Sequence, residues 1–392
     1  MIEILLQIVF WLSIGALLHS YVLFPFILYV LSKNKKQNSI VYSRSDNLPD
    51  ITILMSVYNE ELVIENKIKS ILNTSYPKER LKILIGSDAS NDNTNRIVER
   101  YAKKFSGIVL YPFAERQGKP NVINKLKSYA DTEIIVLTDA KVYFTEDALF
   151  QLVKHFENPE IALVGANLLN KHIAHKGISL QENAFMSREI QMKYHEGLLW
   201  GLVVGAYGAC FAIRKQFLST VPKNFLVDDF FITMQVIKKG KKAIYELNSI
   251  CYENVPGVLK EEFRRKVRIS TGNFQNLGRF AHMLWPPHKP IAFAFLSHKV
   301  IRWLGPILIM LSFISSAILA NQNTFFFTAF AAHVIVLLLP LVDQLLKLLK
   351  VNIQVLRFIT HFLSMNIALF VGLLKYFKGV KSNVWQPTQR NQ

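Results

Sequence analysis

Acidic residues gather where short apolar runs end. Tyr58-Asn59-Glu60-Glu61 follows Ile51–Val57, Ser87-Asp88-Ala89-Ser90-Asn91-Asp92 follows Leu81–Gly86, and Thr138-Asp139-Ala140-Lys141 follows Glu133–Leu137. A further pair, Asp228-Asp229, sits inside the apolar run Phe225–Phe231. A carboxylate edge of this kind suits a metal ion, or the hydroxyl and N–H groups of a sugar nucleotide. One such acid alone is as well explained as a helix N-cap, a reading open to Asp88, Ser90 and Asp92. Three successive runs ending this way favour a site over caps alone. Two adjacent acids in an apolar run carry a desolvation cost unless they have partners. Their other explanation is a helix N-terminus, where the dipole favours negative charge. Basic side chains cluster separately, at Arg264–Arg268.

Other chemistries lose support. No Gly-x-Gly-x-x-Gly follows the first run and no Gly-x-x-x-x-Gly-Lys-Ser/Thr is present, against dinucleotide and P-loop sites. His-Glu-x-x-His and Gly-x-Ser-x-Gly are absent as well. The ten histidines have no ligand-like spacing, and Cys210 and Cys251 are too few for a disulfide scaffold or a Cys-rich zinc module.

The elements carrying these segments alternate. Ile51–Val57 predicts a strand and Glu61–Leu72 a helix. Leu81–Gly86, Asn93–Phe105, Gly107–Tyr111, Pro120–Tyr129, Glu133–Leu137 and Asp147–Phe156 continue as strand, helix, strand, helix, strand, helix. Such alternation predicts βαβ units and a parallel sheet. Near-continuous apolar strands predict cover on both faces, and ligands in such folds bind beyond the strand C-termini. Gly205-Ala206-Tyr207-Gly208-Ala209 offers small residues, either for close backbone approach to a sugar or for a tight turn.

Composition points to a membrane. The 392 residues are 51% hydrophobic and 19% charged, oilier than an ordinary soluble domain. Ile4–Leu31 exceeds the roughly 20 residues a crossing needs. Glu3 at its start and no small-x-small site after it predict a retained signal anchor rather than a cleaved peptide. Lys33, Lys35, Lys36 and Arg44 then put the following domain in the cytoplasm. Trp303–Leu319, Phe325–Leu339 and Phe358–Leu374 predict C-terminal spans, and Ile291–Arg302 an interfacial amphipathic helix. Three C-terminal crossings leave the tail outside, yet Lys375, Lys378, Lys381 and Arg390 favour the inside. Either Phe358–Leu374 does not cross or a further segment does.

The expected division is an anchor at 1–32, a basic linker at 33–49, an α/β domain at 50–290, an interfacial helix plus about three spans at 291–380, and a tail at 381–392. The net charge of +18 is scattered over loops beside spans, without a recognition motif, which argues against nucleic acid. A transporter should carry ionisable residues inside its spans, and the two strongest spans have no such core.

Over about 51–268 the sequence resembles the inverting glycosyltransferases of family 2, with the GT-A fold. Within them it is similar to the membrane-embedded branch of cellulose, chitin and hyaluronan synthases. Val57-Tyr58-Asn59-Glu60-Glu61 matches the opening motif, and Asp88-Ala89-Ser90-Asn91-Asp92-Asn93-Thr94 the family's Asp-Gly-Ser-Thr-Asp-Gly-Thr. Gly118-Lys119-Pro120 through Asn124 matches a segment near the donor, Asp139-Ala140-Lys141 stands at Asp-x-Asp, and Val227-Asp228-Asp229 at Thr-Glu-Asp. Ile232-Thr233, Gly240 and the C-terminal Trp385-x-Pro387-Thr388 add to the match. Two departures stand out. Lys141 replaces the second acid of Asp-x-Asp, and Arg265-Lys266-Val267-Arg268-Ile269 replaces Gln-x-x-Arg-Trp.

The resemblance implies an α/β, Rossmann-like GT-A domain, cytoplasmic, between an N-terminal transmembrane helix and C-terminal ones, in the cell membrane. It implies a nucleotide-sugar donor, UDP-sugar favoured, and a glycan or lipid-linked acceptor at the membrane lipid. Tyr58, Glu60, Asp88, Lys119 and Asp139 would bind the donor. Asp139 would hold Mg²⁺ or Mn²⁺, with one carboxylate fewer than the family because of Lys141, which would otherwise meet a phosphate or solvent. Lys119, or Arg265 and Arg268, would assist the diphosphate. Asp229 would be the general base, with Asp228 orienting the acceptor. Ile269 removes an aromatic platform for the acceptor. A glycan synthase and a single-sugar transferase onto polyprenyl phosphate or a glycolipid both remain open.

Overall fold

The computed structural model describes residues 1–170, 179–253, 259–349 and 351–384. They fall into two compact units. Of the described residues, one comprises 1–30, 179–184, 259–349 and 351–379; the other comprises 31–170, 185–253 and 380–384. The motif Trp385-x-Pro387-Thr388 and Arg390 lie outside the described residues.

The second unit is built on a sheet of eight strands. They are β1 (Ile51–Val57), β2 (Leu81–Asp88), β3 (Ile108–Phe113), β4 (Ile134–Thr138), β5 (Val142–Phe144), β6 (Ile161–Asn170), β7 (Cys210–Arg214) and β8 (Lys242–Glu253). Their order is β3-β2-β1-β4-β7-β6-β8-β5. β3, β2, β1 and β4 run parallel, with Ile51 opposite both Leu81 and Ile134. This half follows the alternation read from the sequence. The other half does not. β7 is antiparallel to both β4 and β6, and β5 is antiparallel to β8. Local periodicity reports strands but not the direction of a partner as remote as Cys210, which lies opposite Thr138.

Helices Ile64–Leu72, Thr94–Ala102 and Lys119–Tyr129 each press one apolar stripe inward: Ile64, Ile68 and Ile71; Val98; Val122, Ile123 and Leu126. Burying one such Val, Leu or Ile contributes about 1.5–3 kcal/mol. Gly86 in β2 lets the third helix approach closely, since a Cβ there would stand 2.4 Å from Val122 Cγ1. The first helix starts at Ile64 rather than Glu61, because Glu61 is occupied in loop contacts described below.

In the first unit, Ile2–Ser32, Thr324–Leu348 and Gln354–Phe377 are long and apolar enough to cross a membrane. Leu338, Leu341 and Leu345 are exposed, as lipid-facing side chains would be. The expected Trp303–Leu319 span differs in detail. The helix begins at Gly305, and Pro290–Trp303 and Gly305–Leu319 form a pair bent by 65° whose two arms are long and apolar enough to cross a membrane only when taken together. Pro306, in the first turn of the second helix, has no N–H to extend the preceding hydrogen-bond ladder. Buried polar groups brace this unit internally: Ser20 Oγ donates to the Ser297 carbonyl at 2.6 Å, and Arg302 Nη2 to the Ser20 carbonyl at 3.0 Å.

Candidate active site at the carboxyl edge of the sheet

The loops after β1 and β2 are tied together by their own polar side chains. Asn59 Nδ2 donates to Asn91 Oδ1 at 2.7 Å, and Asn91 N returns a bond to Asn59 Oδ1 at 3.0 Å. Glu61 Oε2 accepts from both Asn93 N and Nδ2, and Asp92 accepts from Glu61 N and Thr94 N. Asn59 and Ala89 take left-handed backbone conformations, with φ of 51° and 59°. For Ala89 that conformation costs about 1–2 kcal/mol, which the surrounding bonds must hold in place. Asp92 accepts from Thr94 N, the first residue of the helix Thr94–Ala102, but the N-cap of that helix is Asn93, one residue on. The Asp88 carboxylate bonds elsewhere.

Asp88 is buried and accepts three bonds: Gln117 N at 2.6 Å, Gly118 N at 3.0 Å and Arg116 Nε at 3.2 Å. Gly118 has φ +82°, a conformation glycine alone adopts without strain, and this aims its N–H at the carboxylate. The Arg116 guanidinium lies 3.4 Å from the centre of the Tyr58 ring. Tyr58 and Asp88 therefore meet through Arg116, a residue the sequence reading passed over. Glu60, from the same loop as Tyr58, faces Lys141 at 3.5 Å.

Lys119 opens the helix after Gly118. Its Nζ donates to Asp139 Oδ1 at 2.6 Å and to the Gly208 carbonyl at 3.3 Å. Burial alone would lower its pKa. The charges of Asp139, Asp228 and Asp229 more than reverse this and hold the ammonium charged well above the ordinary lysine range. Asp139 is also fixed through its backbone, whose N–H donates to the Ala209 carbonyl at 3.1 Å.

Asp228 and Asp229 form the first turn of the helix Asp228–Lys238, so the helix-terminus reading is correct as local structure. It does not exhaust them. Burial and the Asp228 charge push the Asp229 carboxyl up to about 6, against the opposing pull of Lys119, the Phe230 N–H and Lys193. Gly205–Ala209 packs directly on this acid. Thr233 Oγ1 donates to the Asp229 carbonyl at 2.7 Å and accepts from Ala206 N at 2.9 Å, and Tyr207 N donates to Tyr245 OH at 2.7 Å. A carboxyl raised toward neutral pH beside a fixed cation has the properties of a general base next to a leaving-group site.

Tyr58, Glu60, Asp88, Lys119, Asp139, Asp228 and Asp229 thus belong to one unit and its strand-end loops. Arg265 and Arg268 belong to the other, on the helix Leu259–Phe280. There Arg265 donates to Glu262 and Glu182, joined by Lys266 on Glu182 at 2.9 Å. Burial raises the Glu182 carboxyl, but Lys266, His361 and Arg265 together hold it below the ordinary range. No group of three or more His, Cys, Asp or Glu side chains fit for a metal occurs among the described residues.

Residues 52–221 match the family model "Glycosyl transferase family 2". The chain is 27% identical over 239 residues to "Probable glycosyltransferase YdaM" of Bacillus subtilis, covering 58% of this chain and 56% of that protein. It is 26% identical over 254 residues to the poly-β-1,6-N-acetyl-D-glucosamine synthase of Staphylococcus aureus, covering 63% and 59%. The matched part thus spans less than two thirds of these relatives. Among solved structures, the mannosyltransferase PcManGT from Pyrobaculum calidifontis, in complex with GDP-Man and Mn²⁺, superposes with a TM-score of 0.69 at 22% identity, covering 96% of this chain and 99% of that one.

Proposed function

We propose that the chain, whose residues 52–221 match the glycosyltransferase family 2 model, is a membrane-bound inverting glycosyltransferase on the GT-A fold. It moves a sugar from a nucleotide-sugar donor, a UDP-sugar by preference, to a glycan or lipid-linked acceptor in cell-envelope or exopolysaccharide synthesis. The observation that carries this is Lys119, whose ammonium bonds Asp139 and is held charged by Asp139, Asp228 and Asp229 together. The same cation can then neutralise a departing diphosphate while Asp229 stays available as base.

In this reading Asp88, Arg116 and Tyr58 hold the nucleoside and Glu60 the ribose. Asp229 Oδ2 takes the proton of the acceptor hydroxyl as its oxygen attacks the anomeric carbon opposite the diphosphate. One base and one in-line displacement invert that centre. A divalent ion, Mg²⁺ or Mn²⁺, would be held by Asp139 as its single protein carboxylate, since Lys141 stands at the neighbouring acid's place and pairs with Glu60. It would supply charge neutralisation of the leaving group beside Lys119.

The division into anchor, linker, catalytic domain at 50–290, spans and tail is part of the proposal. So are the cytoplasmic side of the catalytic domain and the plasma membrane. Single-sugar transfer onto a polyprenyl phosphate or glycolipid is the second reading, favoured by Ile269 where the related synthases have Trp.

The test is nucleoside diphosphate release by purified, detergent-solubilised protein. UDP- and GDP-sugars are screened with Mg²⁺ or Mn²⁺ and lipid acceptors, beside Asp229→Asn. Release with one donor, lost in the variant, is the expected result. No release with any donor would reject the reading.

A further inference from the structure

Lys67 sits on the inner face of the helix Ile64–Leu72 and is fully buried, at 0% exposure. Its ammonium has no carboxylate within ion-pair reach among the described residues. It is satisfied instead from three sides. Nζ donates to Thr138 Oγ1 at 2.9 Å and to the Val142 carbonyl, and it stands 3.7 Å from the centre of the Phe144 ring. Thr138 is the last residue of β4 and Val142 the first of β5, so these contacts grip both ends of the turn Asp139-Ala140-Lys141.

Burying a cation without a counter-ion is costly, and a Met or Leu would fill this space without that penalty. The retained charge calls for a reason beyond packing. The same helix follows the loop that carries Tyr58 and Glu60. Glu60, in that loop, pairs with Lys141, in the turn, at 3.5 Å. Lys67 thereby ties the helix behind one donor-binding loop to the turn that forms another.

We infer that Lys67 is a positioning residue for the nucleotide-sugar site. From beneath, it fixes the Asp139–Lys141 turn against the Glu60 loop, so that Asp139, Lys141 and Glu60 meet the diphosphate and ribose already in register. This rests on the glycosyltransferase reading above, and its test has a part that does not.

The independent part is hydrogen exchange on the full-length protein in detergent. Lys67→Met keeps length and apolar volume but removes the three contacts. Amides of Asp139, Lys141 and Val142 are expected to exchange at least about tenfold faster than in the parent, with β1 amides unchanged. Equal exchange in the turn overturns the inference, whatever the activity.

The kinetic part uses the donor identified by the release assay. Lys67→Met raises donor KM about tenfold with kcat within about threefold, and the Lys67→Met/Lys141→Ala double variant loses no more than the larger single variant. A role in stability alone would lower the active fraction, leave KM unchanged and let the two losses multiply, and that outcome also overturns the inference. Where Lys67→Met does not fold, Thr138→Val removes one acceptor while keeping the ammonium, and about a threefold rise in donor KM is expected on the same logic. An unchanged KM in that variant counts against Lys67. Failure of the parent protein to release nucleotide would instead strike the glycosyltransferase reading.

Discussion

The Asp229 carboxylate rests against the backbone of Gly208: a Cβ at position 208 would stand 2.4 Å from Oδ2 and 2.9 Å from Cγ. Backbone and acid are therefore in contact, and no larger residue fits without moving the carboxylate. Gly208→Ala should lower kcat about a hundredfold, since a misplacement of about 1 Å at a reacting group costs that much. Donor KM should stay near the parent value. Steady-state kinetics on folded protein decides it, and an unchanged kcat would remove Gly208 from the site.

Asp229 also sets a pH dependence. Its carboxyl is raised to about 6 by burial and by Asp228, so it is protonated and useless as a base below that value. The rate should fall on the acid side with a midpoint near 6, where an ordinary aspartate would place it near 3.8. The linked stability has the opposite sense. The folded state binds the extra proton between these values, so Asp229 favours folding most at low pH and loses that contribution as pH rises through about 6. Asp229→Asn should lower kcat by about 10²–10⁴. A pH–rate profile of the parent with no acid limb near 6 would argue for another base.

Lys119 is the only described cation bonded to Asp139. Lys119→Met removes the charge that both Asp139 and Asp229 face. Two effects should appear together: kcat lower by about 10²–10³, and the acid limb moved to higher pH, because Lys119 is the first of the influences that pull Asp229 down. Loss of rate without movement of the limb would place Lys119 away from the base.

A stability prediction concerns β8. Glu246 in β8 is buried and bonded to His155 Nε2 at 2.7 Å, Asn248 N at 2.8 Å and Lys154 Nζ at 3.0 Å. Burial raises its carboxyl, but these partners outweigh burial and hold it down to about 2 against an ordinary 4.5. Its stabilisation is thus complete above 4.5 and is lost as pH falls toward 2. Glu246→Gln leaves Lys154 and His155 without their anion, and breaking a buried pair this way costs about 3–5 kcal/mol. Thermal midpoints in detergent across this range should fall with acid in the parent and vary less in the variant.

The parallel half of the sheet was open to sequence reading because its strands alternate with helices, β1 with β2 and β2 with β3 each pairing across a single helix, and β1 has the bounds its residues predict. Tyr58, Asp88, Lys119, Asp139 and Asp229 carried motif signals, and all five belong to one unit, at strand ends or in the first turn of a helix. Lys67 and Arg116 carried no motif signal, and Gly208 carried only the double reading of its small-residue stretch. A lysine inside an amphipathic helix reads as exposed, and only the turn between β4 and β5, 71 to 75 residues later, reveals it as buried. Gly208 read equally as a turn, because its neighbour Asp229 is distant in sequence. The reversed direction of β7 escaped for the same reason.

An antiparallel strand delivers its first residue where its parallel neighbours deliver their last. β7 therefore brings Ala209 beside Asp139, and the chain reaches this edge of the sheet from both directions. Two stretches that never adjoin, 58–141 and 205–229, build it separately. Insertions in the later stretch leave the pairing of β1 to β4 intact.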